Sequence, residues 1–401
     1  MPFKQTHVMD ERLRFVDEAR RSLRSFSELC RRYGISRKTG HKWLARFEQG
    51  GFDALADQAR APHTCPWSTP PKVREAILQV RRAFPDYGAK KIRWYLEANR
   101  PELPLPSRTT IHKIIDREGL VQPRRKRVRR WHPGRPQTFA SEPNQTWTLD
   151  FKGQFRLGNR ALCYPLTVQD MHSRFLLDCR GLPAPKLLPT RKVLERLFRE
   201  VGLPQRIRSD NGTPFASNAL GRLSQLSVWF VRLGIAPEFI EPASPGQNGK
   251  HENMHGHLKR RTARRPRASF SAQQRAFDAF RAEYNDIRPH ESLDGRVPSS
   301  LYSPSPRPFP KRLPPLTYPP HFDVRLVSHN GGIRWFQHRI GVSQLLAEQH
   351  IGLEFLAPGL FDVYFGPIWL GRFHEAKRRI IDRIDPPEKQ SIQKNRNNTD
   401  H

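Results

Sequence analysis

Three acidic residues occupy positions from which their carboxylates could act together. Asp150 ends the β-prone run Trp147–Asp150, and Asp210 ends the run Ile207–Asp210. Glu252 lies early in a predicted helix. Because an acid at the end of a strand lies at the edge of the core, two neighbouring strands and a helix end could bring the three carboxylates together.

The chemistry of such a cluster follows from its charge. Carboxylates held close together repel one another, which raises a pKa unless a cation lies between them. Mg²⁺ is the natural cation because it prefers hard oxygen ligands, and Mn²⁺ suits the same ligands. Two such ions about 4 Å apart could bind the attacking and leaving oxygens of an in-line phosphoryl transfer. Taken singly, each aspartate has a plainer interpretation as a turn residue that accepts backbone N–H groups.

The helix that carries Glu252 also offers a different metal site. The segment His251–His255 fits the HExxH pattern, in which two histidines one turn apart hold zinc and the glutamate is a general base. The pattern is short, no third ligand has a supporting motif, and the helix is more basic and glycine-rich than a buried zinc helix. A zinc site would also leave both aspartates unexplained, so the sequence favours the three-acid cluster.

The two aspartates lie in a segment whose pattern changes from helical to strand-like. Short β-prone runs come first, and strands alternate with helices after them, which is typical of a mixed α/β layer fold. The predicted strands are 146–152, 162–168, 174–180, 206–209 and 236–240. The predicted helices are 191–201, 220–233, 247–265 and 271–285. We therefore expect an α/β core over residues 141–302.

Residues 1–60 predict an all-α helix-turn-helix domain. Gly34 can take the positive φ that ends a second helix, whose start Ser27 can cap, and Ser36 can cap a third helix. One face of that third helix is basic, and in a helix-turn-helix this helix enters the major groove of DNA. The basic residues are Arg37, Lys38, Lys42 and Arg46. A plain three-helix bundle with a solvated basic face is the alternative.

Two segments join this domain to the core. Residues 71–121 predict a second helical domain, which is either another helix-turn-helix or packing support for the first. In the linker 122–140, six of seven consecutive residues are basic and repel one another, so we expect this run to lie on DNA phosphates. The basic residues of the run are Arg124, Arg125, Lys126, Arg127, Arg129 and Arg130. A nuclear-localisation signal has the same composition.

The chain after the core predicts a spacer and a small β-domain. Residues 303–320 include eight prolines, which favours a stiff extended linker. Five short β-prone runs follow within 321–385, with Asn330-Gly331-Gly332 as turn residues between the first two. So many short strands in so few residues predict a small β-barrel. Residues 386–401 are polar and are expected to be disordered.

Composition narrows the class of protein and its partners. The 401 residues include 70 Lys and Arg against 38 Asp and Glu, a formal net charge of +32, so nucleic acid is the expected partner. No apolar run is long enough to span a bilayer, and Met1–Asp10 lacks the apolar segment of a signal peptide. The four cysteines form no CxxC pair. These features argue against a membrane protein, a disulfide scaffold and a cysteine-rich zinc finger.

Three motifs together resemble the signatures of DDE transposases with a retroviral-integrase-type catalytic core. They are Trp147–Gly153, Ser209–Phe215 and Ser244–Glu252. Residues 284–293 resemble the tail of the same core in bacterial insertion-sequence transposases, and Ser107–Leu120 resembles their helix-turn-helix region. Asp210 and Glu252 are 42 positions apart, which is longer than in retroviral integrases. The extra length falls near 218–233 and would lengthen a helix without moving the acids.

The resemblance implies a fold, a reaction and partners. It implies an RNase H-like core in which Asp150, Asp210 and Glu252 are catalytic and hold two ions of Mg²⁺ or Mn²⁺. The implied reaction is cleavage at a transposon end, followed by attack of the freed 3′-hydroxyl on target DNA. The implied partners are double-stranded DNA and further copies of the chain, because two DNA ends must be held together. The implied location is the bacterial cytoplasm, at the nucleoid.

Two points remain open at the level of sequence. Asn248, Glu252, His255 and Lys259 share one helix face, so Lys259 is either a DNA contact beside the metal site or a solvated lysine. The main alternative from another class is a DNA-binding protein with an inactive core, such as a repressor of its own element. Both proteins would bind element-end DNA, and only the enzyme would cut it.

Overall fold

The computed structural model describes residues 7–21, 24–57, 68–121, 139–217, 219–239 and 249–382. The basic run 124–130 and the tail 386–401 lie outside the described residues. The chain divides into two compact units, Met1–Pro70 and Pro71–His401. Within the described parts of the chain, no helix combines the length and the apolar character needed to cross a membrane.

The first unit is a cluster of three helices, α1 (Val8–Arg20), α2 (Phe26–Arg32) and α3 (Arg37–Gly50), followed by a 3₁₀ turn. Ser36 caps α3, because its hydroxyl accepts the Thr39 N–H at 3.1 Å. The cap of α2 is Ser25, not Ser27 as the sequence analysis expected. The buried side chains of the unit are Phe15, Val16, Leu29, Cys30, Trp43 and Leu55.

The second unit begins with three further helices, α4 (Pro71–Ala83), α5 (Ala89–Asn99) and α6 (Arg108–Arg117). Apolar residues at helical spacing on each helix meet in one buried cluster, which includes Val73, Ile77, Ile92, Leu96, Ile111 and Ile115. Ser107 caps α6 by accepting the Thr110 N–H at 3.2 Å. The helical character predicted for 71–121 is confirmed.

A mixed sheet forms the core of the second unit, as the sequence predicts. Its strands are β1 (Thr146–Phe151), β2 (Phe155–Arg156), β3 (Leu162–Asp170), β4 (Leu176–Leu182), β5 (Arg206–Ser209) and β6 (Ala236–Phe239). The strand order is β2-β3-β1-β5-β6, and β4 also pairs with β3. Strand β1 is antiparallel to β3 and parallel to β5. The parallel pair places the ends of β1 and β5 at the same edge of the sheet.

Helices cover the sheet on both faces. They are α7 (Leu187–Val201), α8 (Gln225–Arg232), α9 (Gly249–Leu258) and α10 (Phe270–Ala282). Helices α7 and α8 share one apolar cluster with the sheet, and α9 and α10 share another. The predicted helix 220–233 is interrupted, because Gly221 takes a φ of +63° and Ser224 starts α8 with a capping box. Helix α9 continues into a π-helical turn over Lys259–Ala263.

The proline-rich segment is extended and packs on the core. Its Phe309 side chain packs against the cluster formed by α7 and α8. The Arg307 guanidinium donates to the carbonyls of Pro204 and Gly234, at 2.7 and 2.8 Å. The first part of the segment is therefore held by the core.

The C-terminal β-domain has seven strands. They are β7 (Asp323–Leu326), β8 (Gly332–Trp335), β9 (His338–Gly341), β10 (His350–Ala357), β11 (Leu360–Phe365), β12 (Ile368–His374) and β13 (Arg379–Ile381). The order β13-β12-β11-β10-β7 makes an open sheet, and β8 and β9 form a separate hairpin. A barrel is not confirmed, because among the described residues the edge strands β7 and β13 do not pair with each other.

Candidate active site

The pairing of β1 with β5 brings two of the three predicted acids together. In this parallel register Thr148 lies opposite Arg208, and Leu149 lies opposite Ser209. The next residues along the two strands are Asp150 and Asp210. Because the two strands are parallel, the backbone at both aspartates lies at the same edge of the sheet.

The Asp210 carboxylate is partly withdrawn from water. Burial raises the pKa of Asp210, and the Gly212 N–H, which donates to Oδ1 at 3.1 Å, lowers it by a smaller amount. The charged carboxylate therefore has too few stabilising contacts within the chain to offset the cost of its burial. A partly buried carboxylate without a compensating positive charge suits a bound cation.

The third acid lies on α9, which packs on the face of the sheet that carries Asp150. Glu252 is the fourth residue of this helix, and its side chain lies outside the described atoms. Its neighbour His251 is 1% exposed. Helix α9 therefore carries the backbone of Glu252 along the same face of the sheet, and buried neighbours fix the helix there.

Two histidines of α9 attach the helix to the sheet through threonine hydroxyls. His251 has Nδ1 2.6 Å from Thr148 Oγ1 and Nε2 2.7 Å from Thr167 Oγ1. His255 has Nε2 2.8 Å from the same Thr167 oxygen, and its Nδ1 lies 3.5 Å from Asp150 Oδ2. Thr167 donates its hydroxyl hydrogen to the Asp150 carbonyl at 3.1 Å, and it can then accept an N–H from His251 Nε2.

Both histidines are held in the neutral form. Burial lowers the pKa of His251 to about 3. Burial, together with the neighbouring His251 and Lys152, lowers the pKa of His255 to about 2. A neutral imidazole has one N–H donor and one acceptor nitrogen, so His251 can donate to one of its two threonine hydroxyls and accept from the other.

The zinc alternative can be tested on this geometry. Asp150, His251 and His255 are a possible metal-binding group, since ligand atoms of all three lie within 4.8 Å of one another. Both ring nitrogens of His251, however, already lie at hydrogen-bond distance from threonine hydroxyls. A metal bound there would displace at least one of these contacts. The hydrogen bonds favour a positioning role for the two histidines, and the carboxylate oxygens of Asp150 and Asp210 fit a hard divalent cation.

The predicted DNA contacts differ in their surroundings. Arg37, Lys38 and Lys42 are exposed on α3, and Arg46 is half-buried. The cationic groups of Lys42 and Arg46 lie 5.0 and 5.1 Å from the centre of the Trp43 ring. Lys259 is exposed at the start of the π-helical turn after α9. The predicted contacts of the basic run lie outside the described residues, as does Asn248.

Sequence reasoning missed the two threonines of the site. Thr148 and Thr167 are buried in β1 and β3. A polar residue in the middle of a buried strand was a usable signal, because a buried hydroxyl needs a hydrogen-bond partner. The sequence could not show which residue bonds to the hydroxyl, because His251 is 103 positions from Thr148.

Comparisons with known families agree with this architecture. Residues 140–245 and residues 233–298 each match an Integrase core domain family. Residues 11–63 match a Helix-turn-helix domain family, and residues 39–115 match a Homeodomain-like domain family. The two core matches together contain all three acids. The Helix-turn-helix match contains the whole of α3, and the Homeodomain-like match begins within it.

Two curated relatives come from insertion elements. The chain is 28% identical over 232 residues to the insertion element IS476 uncharacterized 39.2 kDa protein of Xanthomonas euvesicatoria, which covers 57% of this chain and 63% of that protein. It is 29% identical over 194 residues to the insertion element IS407 uncharacterized 31.7 kDa protein of Burkholderia multivorans. This match covers 48% of this chain and 67% of that protein. The chain thus spans about two thirds of the length of these relatives.

Solved retroviral structures are also similar. One is the simian T-cell lymphotropic virus intasome in complex with the PP2A regulatory subunit B56 gamma, with 15% identity, a TM-score of 0.37, and coverage of 73% of this chain and 95% of that chain. Another is the HTLV-2 integrase catalytic core domain in complex with magnesium, with 13% identity and a TM-score of 0.31. The match covers 41% of this chain and 99% of that chain.

The domain matches and the insertion-element relatives agree with the motifs around the three acids. The chain has an N-terminal helix-turn-helix region and an integrase core with a mixed sheet. The chain therefore contains an integrase core domain and is similar to proteins of insertion elements.

Proposed function

We propose that this protein cuts DNA at the ends of an insertion element and joins the freed ends to target DNA. The observation that carries the proposal is the register of β1 and β5, which brings Asp150 and Asp210 to one edge beside α9. Strand cleavage and strand transfer are both in-line phosphoryl transfers, so one set of acids serves both steps.

Asp150, Asp210 and Glu252 are the proposed catalytic residues and metal ligands. Two ions of Mg²⁺ or Mn²⁺ at such a site supply Lewis-acid stabilisation of charge on the phosphate oxygens. The burial that raises the pKa of Asp210 supports this assignment, because the carboxylate lacks a compensating positive charge in the chain itself. The neutral histidines of α9 hold this helix on the sheet, which supports a role for Glu252 beside the other two acids.

The remaining parts of the chain supply DNA binding under this proposal. The exposed basic residues of α3 read the element ends, and the basic run 124–130 and Lys259 contact phosphates. Two ends must be held together during joining, so more than one copy of the chain acts on the DNA. The protein works at the nucleoid of the bacterial cytoplasm.

A strand-transfer assay on a labelled duplex that carries the terminal repeat of the element tests the proposal. The proteins are wild type, Asp150→Asn, Asp210→Asn and Glu252→Gln, with Asp116→Asn as a control because Asp116 is an exposed acid on α6. We expect joined products from wild type and the control with Mg²⁺ or Mn²⁺, and none with EDTA. Each variant of the three acids should lower the rate by about a thousandfold or more.

The assay also separates the proposal from its two alternatives. DNA that is bound by wild type but neither cut nor joined with either ion would identify a binding-only protein. Activity that requires Zn²⁺ and survives Asp210→Asn would instead support the His251–His255 metal site.

A further inference from the structure

A large cleft lies within the second unit, between α5 and α6 on one side and the core on the other. Its volume is about 1260 Å³. The first turns of α5 and α6 form one wall, and α9 with the segment after α10 forms the other. We call it the cationic cleft after the basic residues that line it, Lys90, Lys91, Arg108, Lys113, Arg260 and Arg288.

Positive charge in the cleft exceeds negative charge. The two lining acids are already engaged, since Asp86 pairs with Arg288 at 2.7 Å and Glu291 pairs with Lys90 at 2.7 Å. Within the described residues, no acid lies at ion-pair distance from Lys91, Arg108 or Lys113. The cleft therefore presents cationic groups that the chain does not neutralise, as an anion-binding surface does.

Buried donors add to this excess. Arg288 is 3% exposed, and its Nε has no hydrogen-bond partner among the described residues. The buried Nε of Arg174, which also lines the cleft, is in the same condition. Burial and the charge of Arg288 lower the pKa of Lys91 to about 8, which indicates a site that disfavours further positive charge. A bound anion would accept hydrogen bonds from the unpaired arginine nitrogens and would stabilise the charged form of Lys91.

The cleft adjoins the helix of the third acid. Asn253 and Met254, which directly follow Glu252 in α9, line it. The uncapped N-terminus of α5 at Gly88 and the N-terminus of α6 at Arg108 meet the same space, and helix N-termini favour phosphate. A polyanion that lies in the cleft would therefore contact the helix that carries Glu252.

We propose that the cationic cleft clamps the sugar-phosphate backbone of duplex DNA next to the bond that the three acids act on. The inference rests on the proposed function for the identity of the anion. It assigns to the helices of 71–121 a direct part in DNA binding, shared with the core. A clamp of this kind fixes the register of the duplex by its phosphates and leaves the reading of bases to other elements.

The test is the salt dependence of duplex binding by the full chain. Anisotropy of a fluorescein-labelled element-end duplex is measured in EDTA over a range of NaCl concentrations for wild type and for Arg108→Ala/Lys113→Ala. Arg117→Ala is the matched control, an exposed basic residue on α6 that does not line the cleft. The double variant should reduce the slope of log K against log salt by about 1.8, because each lost phosphate contact removes about 0.9. The control should keep the wild-type slope.

A photo-reactive benzoylphenylalanine gives a second, positional measurement. At His112, in the cleft, it should crosslink to the duplex, and at Arg117 it should not. Equal slopes for all three proteins, or an equal decrease for the control, would overturn the clamp. Because binding is measured in EDTA, this result is independent of cleavage. If wild type cuts DNA but the double variant keeps the wild-type slope, only the proposed clamp is rejected. If the double variant has a lower slope but wild type does not cut DNA, only the proposed enzymatic activity is rejected.

Discussion

At the scale of single residues, Thr167 connects the parts of the candidate site. Its hydroxyl lies within 2.8 Å of a ring nitrogen of both His251 and His255, and 3.1 Å from the carbonyl oxygen of Asp150. One small side chain thus links the strand of the first acid to the helix of the third. Such a group positions catalytic residues without touching the reacting atoms.

Replacement of Thr167 by valine tests this role, because valine keeps the shape and removes the hydroxyl. The variant should lose about 1–3 kcal/mol of unfolding free energy, since buried imidazole nitrogens lose their partner. Strand transfer should decrease by about 10–100-fold, and the Mg²⁺ concentration for half-maximal rate should rise. Thr190→Val is the control, because Thr190 is also buried but its hydroxyl donates to the Lys186 carbonyl on α7. An unchanged Mg²⁺ requirement in Thr167→Val would limit the threonine to a structural role.

At the scale of elements, the packing of α3 depends on a glycine inside the helix. A Cβ at Gly40 would lie 2.8 Å from Cys30 Sγ and 2.9 Å from ring atoms of Phe15 and Phe26. The helix that carries the predicted DNA contacts therefore approaches α1 and α2 as closely as a residue without a side chain permits. Gly256 in α9 is the opposite case, because its nearest atom is Arg260 Nη1 at 3.6 Å.

These two glycines should respond to alanine in opposite directions. Gly40→Ala should lower the unfolding free energy by about 1–3 kcal/mol, since overpacking outweighs the gain in helix propensity. Gly256→Ala should raise it by up to about 1 kcal/mol, because the methyl group fits and only the propensity changes. Calorimetric unfolding of the full chain measures both. A higher melting temperature for Gly40→Ala would mean that α3 is less tightly packed than the distances indicate.

At the scale of the whole molecule, an ion pair joins the helices of 71–121 to the core within the second unit. Asp86, which follows α4, accepts from Arg288, which follows α10, at 2.7 Å. Burial alone would raise the pKa of Asp86, but a hydrogen bond with His257 and the Arg288 guanidinium outweigh it, so the pKa is lowered. A second pair, Lys90 with Glu291, is more exposed.

Loss of the Asp86 charge should loosen this junction in a pH-dependent way. At neutral pH, Asp86→Asn should cost about 1–3 kcal/mol of unfolding free energy, because Arg288 stays buried without its counter-ion. A carboxylate with a lowered pKa stabilises the fold above its ordinary pKa, and this contribution is lost as pH falls through the lowered value. The difference between wild type and Asp86→Asn should therefore shrink below about pH 4.

Urea unfolding at several pH values measures this difference. Glu291→Gln is the matched control, and it should change the unfolding free energy by less than about 1 kcal/mol, as exposed pairs do. A difference between wild type and Asp86→Asn that stays constant down to the acid limit would show that the Asp86 charge does not hold the junction.

The sequence by itself determined the features that depend on short stretches of chain. The features in question follow from hydrophobic period and capping chemistry within a few residues. They are the caps at Ser36 and Ser107, the helices α1 to α6, and the strands β1 and β5. The charge of +32 and the motifs around the three acids likewise needed no structure. The same local patterns could not predict that the seven C-terminal strands form an open sheet and a hairpin, because closure depends on which edges meet.

Only the tertiary structure decided how distant segments combine into sites. The pairing of β1 with β5 brings the chain at Asp150 and Asp210 to one edge of the sheet, and the hydroxyls of Thr148 and Thr167 contact the histidines of α9. The cationic cleft needs a junction between residues 202 positions apart. The physical reason is that burial, desolvation and charge balance are properties of neighbours in space. A sequence pattern shows which residues can take part, and packing decides which of them meet.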